Sequence, residues 1–276
     1  MITIGTQIYG LSSHLAEDFE GTIRSLHQMG FDAIEPLVVI AENQKGHPIN
    51  FWALETLRKA KRVMDQEGMI IPSAHLMELI EDPAKADAGD ISGILRQLKK
   101  ELAIPAFVFS GLISTQEEAL SWAILLSRVA SLVQDDGIRI LYHNHDAEFQ
   151  GGQPGDHLEL FLTTASQVDL QMDTGWVGVA TDELEVFERF KDRIGALHLK
   201  DEYPEYLRSG YDRTSIPSEA FSPIGSGGIR HDRILSRLSE LPRFKGSLVI
   251  DQDASRQDMM EELRKGLSYI RKQIAK

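Results

Sequence analysis

The sequence contains no cysteine among its 276 residues. Without thiols the chain cannot build a disulfide framework, and it offers neither a thiolate nucleophile nor a thiolate metal ligand. Positive charge is also scarce, because 29 lysines and arginines face 42 aspartates and glutamates, giving a formal net charge of −13. Since such a surface repels phosphate backbones, we expect no nucleic-acid partner.

Long apolar runs are absent as well. The N-terminal sequence MITIGTQIYG has neither the basic region nor the apolar stretch of a secretory signal. No segment approaches the roughly 20 apolar residues that cross a bilayer. We therefore expect a cytoplasmic protein without a membrane partner, and homo-oligomerisation stays open.

Short apolar segments alternate with amphipathic ones along the whole chain. Strands are predicted at 2–9, 32–39, 69–75, 106–111, 138–144, 168–173, 195–201 and 246–251. Three helical segments end in a glycine that leads directly into a strand, as in MGFDAIE, EGMIIPSAH and DGIRILYHNH. Strict alternation is typical of a parallel sheet, and eight units predict a single α/β domain, residues 1–276, folded as a (β/α)8 TIM barrel.

Two helices are clear from their spacing, one at 51–68 and one at 114–137, the second with Ser114 and Glu117 at capping-box spacing. The alternative fold is an open doubly wound sheet. Against it, GTQIYGLSSH after the first strand is not the glycine fingerprint of a dinucleotide site.

Ionisable residues stand near the carboxyl ends of six predicted strands, on the alternate positions that face a barrel interior. This is the end at which TIM barrels carry their active sites. Each residue alone could be a strand cap, but together they indicate a site. They are Glu35, His75, His143, His145, Asp173, His198, Lys200 and Asp251.

Several carboxylates converging in a region of low dielectric would repel one another, and a divalent cation removes that repulsion. Nitrogen and oxygen ligands without thiolate suit Mn, Zn, Co, Mg or Fe. Asp173, His198 and Asp251 come from the sixth, seventh and eighth strands, and His143 on the fifth is the obvious fourth ligand. We predict one divalent metal ion.

Seven segments in order along the chain resemble the xylose isomerase-like TIM-barrel superfamily of sugar (phosphate) isomerases and epimerases. They are MGFDAIEP (29–36), SAH (73–75), LYHNHDAEF (141–149), QMDTGWV (171–177), ALHLKD (196–201), PIGSGGI (223–229) and VIDQD (249–253). The resemblance implies one metal held at His143, Asp173, His198 and Asp251. His143 and Asp251 replace the glutamates of the family pattern, and those glutamates act there as the acid–base pair.

The expected reaction is therefore metal-dependent proton abstraction beside the carbonyl of a small sugar, sugar phosphate or keto-polyol, leading to isomerisation or epimerisation. Catalytic roles are expected for Glu148, Asp251 and Lys200, and either Glu148 or Asp253 could substitute for the missing glutamate base. Substrate contacts are expected from Glu35, His75, His145, Lys200 and Trp176, with a role as base as the alternative for Glu35.

Three other functions stay open: a dehydratase of the inosose or 3-keto-sugar type, a sugar-binding barrel with a degenerate metal site, and, least favoured by the charge, a DNA-repair nuclease. The long segment 202–228 contains three tyrosines and a phenylalanine, and we expect it to form a lid. GSGG at 225–228 is either a turn or a phosphate cradle.

Overall fold

A closed parallel sheet forms the centre of the computed structural model, which describes residues 2–77, 79–150 and 153–275. The remaining members of the expected 1–276 domain, Met1, Glu78, Gly151, Gly152 and Lys276, lie outside the described residues. The strands of this sheet are β1 (Thr3–Gln7), β2 (Ala33–Glu35), β3 (Leu37–Val39), β4 (Ala74–Met77), β5 (Ala106–Phe109), β6 (Arg139–His143), β7 (Asp169–Asp173), β8 (Ile194–Leu199) and β11 (Ser247–Ile250). A separate antiparallel ribbon consists of β9 (Asp201–Glu202) and β10 (Phe221–Ser222).

The sheet closes at Pro36. Its hydrogen-bonded order is β2-β1-β11-β8-β7-β6-β5-β4-β3, so the two end strands are the halves of one chain segment. Proline has no N–H for a ladder, which explains the break between β2 and β3, while its carbonyl still accepts from the amide of His75 at 2.9 Å. Counted as one strand, β2 and β3 give eight barrel strands with β6 fifth, and the predicted TIM barrel is confirmed.

Helices cover the outside of this barrel. They are α1 (Ser12–Glu17), α2 (Phe19–Met29), α3 (Leu54–Glu67), α4 (Ala88–Leu102), α5 (Gln116–Val133), α6 (Asp156–Thr164), α7 (Thr174–Ala180), α8 (Glu183–Phe190), α9 (His231–Leu235) and α10 (Met259–Ile274). In the part of the chain that the structure describes, none of them is long and apolar enough to span a membrane. The side chains between helices and sheet form the main hydrophobic core, and Ala106, Val108, Leu141 and Ala196 form a second small cluster.

The predicted glycine stops are confirmed, since Gly30, Gly68 and Gly137 all have positive φ, at 106°, 76° and 65°. The capping box of α5 is displaced by one residue from its predicted place, because the extended residue is Thr115, whose hydroxyl accepts from Glu118. Ser114 instead donates to the same Glu118 carboxylate.

The third barrel strand lies further along the chain than its prediction at 69–75. Within that range Ile70 makes one bridge to Ala33, and regular pairing begins only after Pro72, at Ala74. His75 therefore stands near the beginning of β4 rather than at its end. Its side chain nevertheless reaches the cavity described below, in which the next residue of the same parity, Met77, also lies.

Candidate metal centre and active-site cavity

Four side chains meet at the carboxyl end of the barrel. His143 ends β6, Asp173 ends β7, His198 lies on β8, and Asp251 directly follows β11. One nitrogen or oxygen atom from each lies within 4.8 Å of the chosen atoms of the other three, and all four residues are buried. The arrangement follows from the alternation of side chains along parallel strands whose carboxyl ends share one edge.

The polar atoms of this cluster are incompletely paired. Asp173 Oδ1 accepts from the amide of Trp176 at 2.8 Å, but its Oδ2 has no hydrogen-bond partner among the described residues. That oxygen lies 3.9 Å from His143 Nε2 and 4.0 Å from His198 Nδ1. Asp251 Oδ1 is also without a partner among the described residues, and its Oδ2 lies 3.2 Å from His198 Nδ1.

The two distances to Asp173 Oδ2 are too long for hydrogen bonds and suit a shared cation, while the 3.2 Å contact between His198 and Asp251 fits either. Ligand atoms bonded at about 2.0–2.2 Å to a common ion lie roughly 3–4 Å apart, as these do. Buried polar atoms without partners are rare because each costs free energy. Two imidazoles and two carboxylates therefore fit a divalent ion, and the set is one that could bind a metal.

The charges of the cluster also favour a cation at this point. Burial raises the pKa of Asp173 to about 7, with Asp251 adding to the rise and Lys200 opposing it. Burial disfavours the charged form of His198, yet Glu35 and Asp251 outweigh it and raise the pKa of His198 to about 10. A proton on His198 thus supplies, in part, the charge that a divalent ion would supply.

Beneath the cluster lies Glu35, fully buried and outside the cavity. Its carboxylate accepts from His198 Nε2 at 2.7 Å, from Gln171 Nε2 at 2.8 Å and from the hydroxyl of Ser73. Burial opposes ionisation, but the charge and hydrogen bond of His198 hold the pKa of Glu35 below its ordinary value. The prediction that Glu35 contacts the substrate therefore does not fit its position, since no face of Glu35 is open to a ligand. Glu35 instead accepts a hydrogen bond from His198 of the cluster.

A cavity of about 430 Å³ opens above the cluster, with His143 and Asp251 in its wall. The other lining residues include four of the predicted substrate contacts, His75, His145, Trp176 and Lys200, together with Gln7, Tyr9, Leu37, Met77, Ser110, Arg213, Ile216, Ser218, Phe221, Asp253 and Ala254. This volume lies in the range of small-molecule pockets.

Lys200 and Asp253 form a close pair in this wall. Lys200 Nζ lies 2.6 Å from Asp253 Oδ2 and 3.2 Å from Asp251 Oδ2. The ammonium also sits 4.9 Å from the ring centroid of Trp176 and 5.4 Å from that of Phe221. Burial lowers the pKa of Lys200, but the carboxylates outweigh it and raise the value above the ordinary one. Burial raises the pKa of Asp253 to about 6, although Lys200 opposes the rise.

Burial favours the neutral form of the two cavity histidines outside the cluster. Burial lowers the pKa of His75 to about 4, and burial together with Arg213 lowers the pKa of His145 well below its ordinary value. His75 Nε2 lies 3.1 Å from the hydroxyl of Ser110, while its Nδ1 has no partner among the described residues. Neutral imidazoles of this kind both donate and accept, which suits sugar hydroxyls.

Glu148 does not reach the cavity. Its Oε1 accepts from the hydroxyl of Tyr142 and the amide of Ile113, and its Oε2 accepts from the amide of His145. The residue is fully buried and ties the loop after β6 to the loop after β5. The predicted role of Glu148 as a base therefore does not fit its position, because its carboxylate cannot meet a ligand in the cavity, whereas the side chain of Asp253 lines the cavity.

The glycine loop after β10 is filled by a side chain of the protein. Asp201 Oδ2 accepts from the amides of Gly225 and Gly227, and its Oδ1 accepts from the amide of Ile229. Since these amides already bind a carboxylate, the loop is a structural turn and the phosphate interpretation is wrong.

Two residues at the site, Gln171 and Arg213, were not predicted from the sequence. Gln171 shares the parity of Asp173 on β7, a signal that could have identified it. Arg213, by contrast, comes from the irregular segment 202–228, whose Arg213, Ile216, Ser218 and Phe221 line the cavity. No periodicity exists there to predict which side chains turn inward.

Comparison with known proteins agrees with this geometry. The family model of the xylose isomerase-like TIM barrel matches residues 23–273. The chain belongs to this family. A solved sugar phosphate isomerase/epimerase from Parabacteroides distasonis ATCC 8503 superposes with a TM-score of 0.74 at 19% identity, over 97% of this chain and 95% of that one.

Two further similar proteins are a structure solved with magnesium and a dehydratase. A xylose isomerase-like TIM barrel protein from Mycobacterium smegmatis, solved in complex with magnesium, superposes with a TM-score of 0.68 at 14% identity, over 99% of this chain and 96% of that one. An inosose dehydratase of Clostridium botulinum (strain Alaska E43 / Type E3) is 27% identical over 181 residues, 61% of this chain. The match spans 59% of that dehydratase, so the chain covers only about three fifths of its length.

Proposed function

We propose that this protein is a divalent-metal-dependent enzyme that removes a proton beside the carbonyl of a small sugar or polyol, with isomerisation or epimerisation as the outcome. The observation that carries the proposal is the cluster of His143, Asp173, His198 and Asp251, two members of which, His143 and Asp251, line a cavity that also contains the Lys200–Asp253 pair. When bound, a divalent ion would supply Lewis-acid polarisation of the substrate carbonyl.

The protein's own groups divide the remaining work. Asp253 takes the proton from the carbon, because its carboxylate lines the cavity and its pKa of about 6 is near the working pH of a general base. Lys200 stays protonated beside it and faces the negative charge that develops on the substrate oxygens. His75 and His145 orient hydroxyls, and Trp176 with Phe221 excludes water from one side.

Dehydration is the second candidate, favoured by the inosose dehydratase relative. It shares the first step, and then a β-hydroxyl leaves with a proton instead of the carbon being reprotonated. Both routes need one base and one protonated group near the same carbons, which Asp253 and Lys200 provide 2.6 Å apart.

The shared step gives the test. The protein is incubated with Mn²⁺ in D2O and a panel of ketoses, keto-inositols and 3-keto sugars, and NMR follows deuterium uptake beside the carbonyl. Loss of water is read from the same spectra and separates dehydration from isomerisation. We expect Asp253→Asn to slow exchange by about 10²–10⁴-fold, the typical contribution of a general base.

Asp258→Asn is the matched control, since Asp258 is the exposed N-cap of α10 and asparagine caps equally well. It should exchange at the wild-type rate. If no compound of the panel exchanges while Mn²⁺ is bound, the proposal is wrong and a sugar-binding barrel is favoured. If exchange survives Asp253→Asn, the metal-dependent enzyme stands and Asp253 is not its base.

A further inference from the structure

Glu35 makes its contacts where no ligand can reach. It is fully buried, and its two oxygens accept from His198, Gln171 and Ser73. An ionised carboxylate has acceptors only, so every partner must present a donor to it. That requirement decides the orientation of each neighbouring group.

The first consequence concerns His198. Its Nε2, 2.7 Å from Glu35 Oε1, must carry a proton. The other nitrogen, Nδ1, is the atom that faces Asp251 at 3.2 Å and Asp173 at 4.0 Å. Without a metal, Nδ1 also donates to the Asp251 carboxylate. When a metal binds, Nδ1 is the nitrogen that gives up its proton, so its lone pair faces the cluster.

The second consequence reaches His143 through Gln171. Gln171 turns its NH2 group to Glu35, so its carbonyl oxygen is the atom that lies 3.2 Å from His143 Nδ1. Because that oxygen only accepts, His143 must carry its proton on Nδ1. Its Nε2 then keeps a lone pair, and this atom lies 3.9 Å from the unpaired Asp173 Oδ2.

We propose that Glu35 is a positioning residue that fixes which nitrogen of each cluster histidine is available to a metal, directly for His198 and through Gln171 for His143. The inference rests on the proposed metal site, toward which His198 Nδ1 and His143 Nε2 both point. Carboxylates that accept from metal-bound histidines are a general means of orienting them, and their loss typically costs 10–100-fold in metal affinity.

Glu35→Gln tests this with almost no change in shape. If its new oxygen accepts from His198, its NH2 group faces the NH2 of Gln171, and Gln171 must rotate to relieve the contact. The rotated amide then donates to His143 Nδ1, which moves the His143 proton to Nε2 and points it into the cluster. We expect Mn²⁺ affinity, measured by electron paramagnetic resonance, to fall by about 10–100-fold.

The tautomer is read independently of any metal. In metal-free protein labelled with ¹⁵N-histidine, the His143 resonances, assigned by their absence from His143→Gln, should show a protonated Nδ1. In Glu35→Gln they should show a protonated Nε2. His198 is less useful here because, without a metal, its Nε2 donates to Glu35 and its Nδ1 donates to Asp251.

A swap provides the rescue. In the double variant Glu35→Gln with Gln171→Glu, the amide introduced on β2 donates to the carboxylate introduced on β7, and His143 Nδ1–H again finds an acceptor. We expect the wild-type His143 tautomer and most of the Mn²⁺ affinity to return. Ser73→Ala is the control, because it removes a partner of Glu35 without touching either histidine, and it should leave both readouts unchanged.

The outcomes separate the two proposals. If wild-type protein binds no Mn²⁺, Zn²⁺ or Co²⁺, the proposed function fails, while the tautomer spectra still test Glu35. If Glu35→Gln keeps the Nδ1–H tautomer of His143, or if the swap rescues neither readout, Glu35 does not position that ring and the inference is overturned.

Discussion

Asp201 on one side, and Asp173 with Asp251 on the other, are buried at the same end of the barrel but differ in how completely their oxygens are hydrogen-bonded. Asp201 accepts three backbone hydrogen bonds, at 2.9, 3.0 and 3.0 Å, so both of its oxygens are satisfied. Asp173 and Asp251 each keep one oxygen without a partner among the described residues. Asp201 comes only three residues after His198 in the sequence HLKD, yet its carboxylate is fully paired. The carboxylates of Asp173 and Asp251, which lie beside His198, are not.

The difference teaches how to separate a structural carboxylate from a candidate ligand. Backbone amides of a glycine loop satisfy both oxygens of Asp201 and fix the connection between β10 and α9. Among the described residues, Asp173 accepts one backbone amide, from Trp176, and Asp251 accepts none. The other groups near them are imidazoles and an ammonium. A carboxylate that is buried but incompletely paired has kept its capacity to bind a cation, at a cost in folding free energy.

The largest expected effect comes from Asp173→Asn, which tests whether the incompletely paired carboxylate is a metal ligand. We expect Mn²⁺ affinity to fall by more than the roughly 100-fold that loss of an outer partner costs, because a direct ligand loses its charge. The free energy of unfolding of the metal-free protein should not fall, since the neutral amide removes a carboxylate whose pKa burial raises to about 7. Calorimetric titration measures the Mn²⁺ affinity, and urea unfolding in EDTA measures the free energy of unfolding. Retention of a full equivalent of Mn²⁺ after dialysis would place the metal elsewhere.

The charge on His198 gives a pH-dependent form of the same test. Its folded pKa of about 10 exceeds the ordinary 6.5, so the folded state holds an extra proton between these values. The resulting stability is fully present below pH 6.5 and is lost as the pH rises toward 10, by at most about 1.4 kcal/mol per pH unit. Urea unfolding of metal-free protein at pH 7, 8 and 9 should show this decline. The decline should be absent from His198→Gln, and an equal slope in that variant would contradict the assignment.

Asp201→Asn tests the other carboxylate of the comparison, the one that is fully paired. The amide keeps one acceptor, but its NH2 group meets backbone N–H donors of the glycine loop. We expect the free energy of unfolding to drop by about 1–3 kcal/mol, the cost of leaving buried donors unpaired, with Mn²⁺ affinity unchanged. Urea unfolding and calorimetry measure both quantities. A large loss of Mn²⁺ binding in a folded Asp201→Asn protein would mean that the two environments are not separable.

The smallest expected effect is in the segment 202–228, part of which lines the cavity. Amide hydrogen exchange at 207–216 should slow when a substrate of the exchange panel saturates the cavity, because Arg213 and Ile216 would contact it. The two-residue ribbon β9–β10 at the base of the segment serves as the internal reference. Equal protection with and without ligand would argue against a lid.

Much of this molecule follows from local pattern. Glycine stops and apolar alternation predicted the barrel, because strand and helix periods depend on neighbouring residues alone. The same alternation predicted that His143, Asp173, His198 and Asp251 point into one barrel mouth. The sequence alone therefore determined the fold and the members of the cluster.

The tertiary structure decided what surrounds the cluster. Glu35 and Glu148 have the same side chain and both looked reactive, yet one supports the histidines and the other ties two loops together. Glu35 meets Gln171 and His198 across 136 and 163 residues of chain. No periodicity spans such distances, since hydrogen-bond partners are chosen only when closure of the barrel brings β2, β7 and β8 around one point. Local pattern fixes which way a side chain faces, and the closed sheet fixes what it meets.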